Sequence, residues 1–186
     1  SGAIDLAAGE YHTCAVLSGG IAKCWGANSD GQLGDGTITQ RSTPVSVSGV
    51  TSATDIAAGS FHTCAVLSSG AARCWGDNTR GQLGNGSTTA SNTPVTVSGI
   101  SNAEQVAANH SYSKSSTHTC TALSDGTAKC WGDNVSGQLG NGSSSSSPQT
   151  TPVTVSGLSG VTHIAVGYAT SCARKSDDTV YCWGDD

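Results

Sequence analysis

The feature that most constrains this chain is a unit it repeats. "HTCAVLSGGIAKCWG", residues 12 to 26, sets Cys14 and Cys24 ten positions apart around a glycine-rich turn and closes on Trp25-Gly26. Cys64 and Cys74, Cys120 and Cys130, and Cys172 and Cys182 keep the same separation of ten, and each pair ends in Trp-Gly. Successive first cysteines lie 50, 56 and 52 residues apart. A period in this range marks stacked copies of one supersecondary unit, each unable to bury its apolar face alone.

The unit has two halves. The first, "AAG…HTCA…CWG", occurs four times; the second, "GQLG…TPVxVSG", occurs three times, with GQLG at Gly31, Gly81 and Gly137. The repeats run approximately over 4–53, 54–103, 104–161 and 162–186 of a single repeat domain, 1–186, and the last is incomplete. Six extra residues fall between Ala108 and His118, and two between Gly142 and Pro152, in the "SSSSSP" stretch that reads as a loop.

Local pattern sets the fold class. "DLAAG" and "DIAAG" are short apolar runs ended by glycine, and "HTCAVL" and "IAKCW" have a period of two around a Ser/Gly turn, which is a β-hairpin signal. "TPVSVSG" alternates valine with small polar residues and carries proline at its entry, where a missing donor is tolerated. About four short strands per repeat and no helical period predict an all-β protein of β-propeller blades, each of four antiparallel strands, about three and a half repeats in all. An open β-solenoid is the alternative, although its repeats are usually shorter.

The motif A-G-x-x-H-T-C-A, glycine turn, C-W-G-x-N-x-x-G-Q-L-G-x-G, seen at Ala8 to Gly36, Ala58 to Gly86, Ala108 to Gly142 and partly from Val166, resembles the regulator of chromosome condensation repeat. The resemblance spans essentially the whole chain and implies a propeller of about seven blades. It leaves function open, since that family includes nucleotide exchange factors, chromatin-docking proteins, enzyme inhibitors and scaffolds. Three and a half repeats do not close such a ring. The expectation is a piece of a longer propeller, or a subunit whose orphan half at Ile164 to Gly184 completes a blade with its neighbour through open edges.

Composition narrows the function classes. Charged residues make up 11% and the formal net charge is −5, with no basic cluster, so phosphate-directed nucleic-acid binding is not expected. No run of about twenty apolar residues occurs, so no membrane insertion is expected. The opening "SGAIDLAAG" lacks the basic start and apolar core of a signal peptide, and a mature form and a cut-out piece both fit it.

The recurring residues each have a structural reading beside a chemical one. In a hairpin centred on Gly19, Cys14 faces Cys24, and directly opposed residues at a non-hydrogen-bonded position are close enough for a disulfide. Repeat symmetry extends one bond to each hairpin: Cys64 with Cys74, Cys120 with Cys130, Cys172 with Cys182. Reduced core thiols remain open as an alternative, while metal ligation lacks the usual C-x2-C spacing. Disulfides would place the chain in an oxidising compartment, secreted or at the cell surface.

His12, His62 and His118 hold one equivalent position, with Thr170 in the fourth copy, and repetition argues against catalysis. They are expected to hydrogen-bond the backbone of a neighbouring blade. His163 reads as an ordinary strand or loop residue. Trp25, Trp75, Trp131 and Trp183 are expected as anchors between blades, each followed by a glycine that turns the chain. Asn28, Asn78 and Asn134 are expected to cap loops or adopt left-handed geometry, and Gln32, Gln82 and Gln138 to satisfy buried backbone groups. A calcium loop lacks the acidic ladder it needs.

Positions that vary between copies are where individual function can sit, on loops over a rigid scaffold. They include Asp30, Arg80, Val135, and Asn109, His110, Tyr112 and Lys114 of the insertion. Asn85, Asn109, Asn134 and Asn141 match N-x-[ST] and are possible glycan sites, and the serine run could carry O-linked sugar. No catalytic triad, carboxylate pair or phosphate loop is present, so neither an enzyme nor a cofactor is expected. The leading expectation is a non-catalytic extracellular or cell-surface scaffold that binds a protein or glycan through loops or assembles through blade edges. The alternatives are an intracellular exchange factor or chromatin adaptor, a secreted enzyme inhibitor, and an enzyme working on a propeller face.

Overall fold

The protein is described by a computed structural model covering residues 2–112 and 114–185; Ser1, Ser113 of the insertion and Asp186 of the last repeat lie outside the described residues. Fifteen β-strands form four antiparallel sheets in chain order among these residues, with no helix. The first sheet is β1 (Ala3–Ala8), β2 (His12–Leu17), β3 (Ala22–Gly26) and β4 (Arg41–Ser46). The second is β5 (Ala53–Ala58), β6 (His62–Leu67), β7 (Ala72–Gly76) and β8 (Ser91–Thr96). β9 (Ala103–Ala108), β10 (His118–Leu123), β11 (Ala128–Asn134) and β12 (Ser145–Thr154) make the third. The fourth has three strands, β13 (Val161–Val166), β14 (Thr170–Lys175) and β15 (Val180–Gly184). Each sheet is a propeller blade, and together they form an unclosed arc.

Within each blade the central hairpin has the predicted register. Cys14 faces Cys24 and Ala15 faces Lys23, and the same pairs recur in the other three copies. Four disulfides follow, Cys14–Cys24, Cys64–Cys74, Cys120–Cys130 and Cys172–Cys182, each with Cα atoms 4.1 Å apart. No cysteine is left free.

Alternation along the strands gives each blade two faces. Cys14, Val16, Ala22 and Cys24 point toward the second blade, whose Ile56, Ala65 and Trp75 come to meet them in one apolar cluster. The next cluster repeats this with Cys64, Val66, Cys74, Val106 and Trp131. A third joins Cys120, Cys130, Ile164 and Ala173, with Trp183 packed against it. The core therefore lies between blades rather than inside any one of them, as stacked repeats require.

The first strands of successive blades, β1, β5, β9 and β13, are neighbours and line the inner side of the arc. Asp5 accepts a hydrogen bond from the Ile56 amide at 2.8 Å, and Asp55 from the Val106 amide at 2.7 Å. Gln105 completes the series, accepting from the Ile164 amide at 2.7 Å and donating to its carbonyl at 2.9 Å. These side chains bridge strands that share no backbone ladder, so the inner wall is stitched by polar groups.

Two local expectations are corrected. Gly26 does not turn the chain: it lies in β3 opposite His12 with φ +110°, where a Cβ would stand 2.5 Å from the Tyr11 carbonyl oxygen. Close approach, together with the left-handed backbone, is what requires glycine there. The serine run is strand rather than loop at its end, because β12 extends to Ser145 and pairs Ser145 with Asn134 and Gln149 with Gly132. The two extra residues are absorbed by lengthening this outermost strand to ten residues, against six in β4 and β8.

Candidate functional site: the blade junctions and the insertion face

Each junction is locked by one carbonyl oxygen. The Gln32 carbonyl accepts from the Trp75 indole at 2.9 Å and from the Thr63 hydroxyl at 2.8 Å, both on the next blade. Gln82 does the same for Trp131 at 2.8 Å and Thr119 at 3.0 Å. Gln138 serves Trp183 and Ser171, both at 2.9 Å. Gly34, Gly84 and Gly140 close the same segments with φ of +67°, +65° and +65°, and a Cβ there would stand 2.7, 2.8 and 2.6 Å from the tryptophan Nε1. The last glycine of GQLG is thus the seat of the next blade's indole.

The histidines complete this junction, with one correction to the expectation. They reach a neighbouring side chain, not the backbone: His12 Nε2 lies 2.7 Å from the Thr63 hydroxyl, His62 2.9 Å from Thr119, and His118 2.9 Å from Ser171. Each hydroxyl has already given its only hydrogen to a Gln carbonyl. It must therefore accept from Nε2–H, which fixes the neutral tautomer with a bare Nδ1. Burial pushes the ring pKa down to about 4 in His12, about 3 in His62 and about 4 in His118. These histidines are buried and uncharged, and each hydroxyl they meet is itself tied to a Gln carbonyl. Among the described residues no His, Cys, Asp or Glu group is arranged to hold a metal ion.

The Asn and Gln side chains fold the loop that carries the carbonyl. Asn28 Oδ1 accepts from the Leu33 amide at 2.9 Å while its Nδ2 donates to the Thr37 and Thr39 carbonyls at 3.1 Å. Asn78 and Asn134 cap the same way, through the Leu83 and Leu139 amides. None of the three adopts left-handed geometry, because Asp178 is the only non-glycine with positive φ among the described residues. Gln82 accepts from the Arg80 amide at 2.9 Å and donates to the buried Asp77 at 2.6 Å. Gln138 makes the matching pair with Ser136 and Asp133.

The insertion between β9 and β10 is the longer of the two breaks in the repeat. Asn109 is buried, and its amide donates to the Ser116 carbonyl at 2.5 Å and to the Tyr168 carbonyl of the fourth blade at 3.1 Å. The Ser111 amide donates to the Ser60 hydroxyl of the second blade at 2.7 Å. Lys114 reaches furthest: it pairs with Asp30 of the first blade, lies 3.7 Å from Asp77 of the second, and stands 5.4 Å above the Phe61 ring. The insertion thus touches all three other blades.

Charge explains where Lys114 goes. Arg80, in the second blade, approaches Asp133 of the third at 3.9 Å. The equivalent position in the first blade is Asp30, which faces Asp77 with no cation of its own. Lys114 supplies that cation from two blades away, and its pKa is raised by Asp30 and Asp77 against the opposing effect of burial. Sequence reasoning placed Asp30, Arg80 and Lys114 on variable loops, and the structure brings them into one acidic–basic network on one face. The signal was present in the alternation of Asp30 and Arg80 at one repeat position, but nothing in the chain order pointed Lys114 at it.

The remaining sequence-derived positions divide by exposure. Val135 is exposed on its loop, and Tyr112 is 91% exposed. Asn109 and Asn134 are buried with their amides committed to internal hydrogen bonds, which corrects the reading of these two sequons as glycan sites in the folded chain. Asn85 and Asn141 are half-buried on loop rims. Trp25 is half-buried, whereas Trp75 and Trp131 are fully enclosed. His163 is exposed on β13.

An arc of four-stranded blades, held by indole-to-carbonyl locks and carrying its variable residues on loops, defines a β-propeller repeat protein. The sequence profile of the regulator of chromosome condensation (RCC1) repeat matches residues 24–66, 69–113 and 125–174, and a second profile of that repeat matches residues 3–32 and 53–82. The chain belongs to this family. Its fold is similar to human WBSCR16, at 22% identity and a TM-score of 0.84, over 98% of this chain and 47% of that one. It is also similar to yeast RCC1 (Prp20) in its complex with Kap60, at 19% identity and a TM-score of 0.80, over 98% and 43%. The ectodomain of the Arabidopsis thaliana receptor kinase ACR4 matches at 22% identity and a TM-score of 0.56, over 99% and 56%. The chain thus spans roughly half the length of each of these proteins.

Four intrachain disulfides belong to an oxidising compartment. No helix among the described residues is long and apolar enough to cross a membrane.

Proposed function

We propose that this chain is a non-catalytic, extracellular or cell-surface scaffold that engages a protein partner through the face bearing the insertion. The observation that carries this reading is the insertion itself. It is the longest departure from the repeat, six residues against two after Gly142, and it is tied by Asn109, Ser111 and Lys114 to the other three blades while leaving Tyr112 in solvent. A rigidly held loop with an exposed aromatic side chain is the usual form of a recognition element.

The compartment reading is supported by the disulfides, and by the occurrence of a similar fold in a receptor ectodomain. The protein-partner reading is supported by yeast RCC1 (Prp20), a protein of similar fold crystallised with Kap60 bound to it. Asp30, Arg80 and Lys114 hold the face in shape, Val135, His110 and Tyr112 offer contact surface, and Asn85 and Asn141 remain the sequons compatible with a glycan on the folded chain.

Panning a random-peptide display library against the disulfide-bonded protein tests this. Enriched peptides should lose binding at least tenfold to a Tyr112→Ala, Val135→Asp variant and keep it with Ile38→Asp, an exposed site outside the insertion. Peptides indifferent to both changes would overturn the reading, as would no enrichment accompanied by strong signals on a glycan array.

A further inference from the structure

The insertion and the loops before β2 and β14 border a half-open cavity of about 320 Å³ lined by Glu10, His110, Ser111, Tyr112 and Tyr168. That size lies at the small end of the range of ligand sites. Three of its five lining residues are rings, and its single carboxylate is Glu10.

Charge bookkeeping on this face separates Glu10 from the other acids. Asp30 and Asp77 share Lys114, and Asp133 has Arg80 beside it. Glu10 forms no ion pair among the described residues. Its partner is the neighbouring Tyr11 phenol, whose pKa it raises by hydrogen bonding and by its charge. The cavity therefore combines a carboxylate that lacks a cation with tyrosine rings whose faces attract one. Cations over tyrosine faces gain about 0.5–1 kcal/mol at exposed sites and more when desolvated. An anionic ligand would meet the uncompensated Glu10 charge.

We propose that this cavity receives a cationic side chain, arginine or lysine, presented by the protein partner, with Glu10 as counter-ion and Tyr112 and Tyr168 as its aromatic walls. This rests on the protein-binding reading above and specifies which partner residue the face selects.

Titrating N-acetyl-arginine amide and N-acetyl-lysine amide into the intact, disulfide-bonded protein, followed by NMR shifts of the Tyr112 and Tyr168 rings, tests it. Saturable millimolar binding is expected, at least fivefold weaker in Glu10→Gln and in Tyr112→Ala, and absent with the neutral N-acetyl-citrulline amide. Both variants are at exposed or rim positions, and unchanged one-dimensional spectra elsewhere would show that they fold. Equal binding of citrulline amide, or arginine binding unaffected by Glu10→Gln, would overturn the proposal. Tighter binding of choline or of methyl N-acetylglucosaminide than of either amino-acid amide would overturn it in favour of a headgroup or a sugar. The two readings fail separately. Display peptides that bind the face with no dependence on a basic residue or on Glu10 would sink the cationic pocket and leave the scaffold reading intact. Arginine-amide binding without any enriched peptide would do the reverse.

Discussion

The junction between the second and third blades and the outward side of the fourth blade are made from the same repeat position by position, yet they are chemically different surfaces. At the junction, His62, Val66, Ala72 and the Cys64–Cys74 bridge are fully enclosed by the third blade's Val106 and Trp131. On the fourth blade the equivalent positions are Thr170, Arg174, Val180 and the Cys172–Cys182 bridge. Cys182 and Val180 are exposed, and Arg174 and Lys175 sit in ion pairs with Asp178 at 3.6 Å and Asp177 at 3.3 Å. A hairpin with one register and one disulfide can therefore be either core or surface. The neighbouring blade decides which: on the fourth copy Val180 and Tyr181 are exposed beside the paired Arg174 and Lys175.

The largest expected break in this contrast is Trp131→Ala. It empties a fully buried indole site and removes one of the two donors to the Gln82 carbonyl, so urea unfolding should show a loss of about 3–5 kcal/mol. Trp25→Ala, at the half-buried copy with no blade on that side in the structure, should cost about 1–2 kcal/mol. Equal losses would mean that the junction is not where the stability lies.

Thiol chemistry should sharpen the same comparison. Mild reduction followed by alkylation and mass spectrometry should label Cys172 and Cys182 first, because solvent reaches them, while the other three bridges wait for unfolding. Removing Cys64 and Cys74 together should cost about 3 kcal/mol, because the unfolded chain regains the entropy that the closed loop denied it. Simultaneous labelling of all eight cysteines would contradict the burial difference.

His62→Ala should cost about 2–3 kcal/mol by opening a cavity and leaving the Thr119 hydroxyl without its donor. Thr170→Ala, at the same repeat position on the fourth blade, should stay within about 0.5 kcal/mol. Acid should find the junctions too. His12, His62 and His118 have folded pKa values below the ordinary 6.5, so the unfolded chain binds protons that the folded chain refuses. Their contribution is complete above about pH 6.5 and is lost as pH falls toward about 4. Asp55 acts in the opposite sense. Burial and the nearby Asp5 raise it to about 6 despite the Val106 amide, so its cost above that pH is relieved on acidification. Asp55→Asn should therefore steepen the loss of stability between pH 6.5 and 4, measured by denaturant titration at each pH. A flat profile would mean that the histidines are not held neutral.

The smallest effect is expected at the insertion. Lys114→Met removes a partly exposed cation shared by Asp30 and Asp77, and a change of under about 1 kcal/mol should follow, shrinking further in salt. Its clearer readout is faster amide exchange at Ser111 and Asn109, which depend on the insertion staying seated.

Most of the blade was legible because its determinants are local. Ten-residue cysteine spacing around a glycine turn admits one hairpin register, and period-two alternation assigns each side chain to a face. The strand pairing and the facing of the cysteines follow from those two facts, and the structure closes the bonds. What could not be read involved partners dozens of residues away. The histidine's acceptor is a hydroxyl 51 to 57 positions further on, already tied to a carbonyl from the histidine's own blade. A hydrogen bond of that kind depends on how far one blade is rotated against the next, and no pattern within a repeat encodes that angle. Gly26 was misread for a related reason: its glycine signals a close backbone approach, and sequence alone cannot distinguish that from a turn.

The order of residues was enough to settle that this chain makes four hairpins with facing cysteines in repeating antiparallel sheets, because hydrophobic periodicity, turn chemistry and cysteine spacing all act within a few residues. Only the packing of blades decided which copies of the same hairpin became core, which asparagines lost their access to solvent, and that Lys114 would cross to Asp30 and Asp77. Burial and charge pairing are properties of what lies opposite a side chain, and in a repeat protein what lies opposite always belongs to another copy.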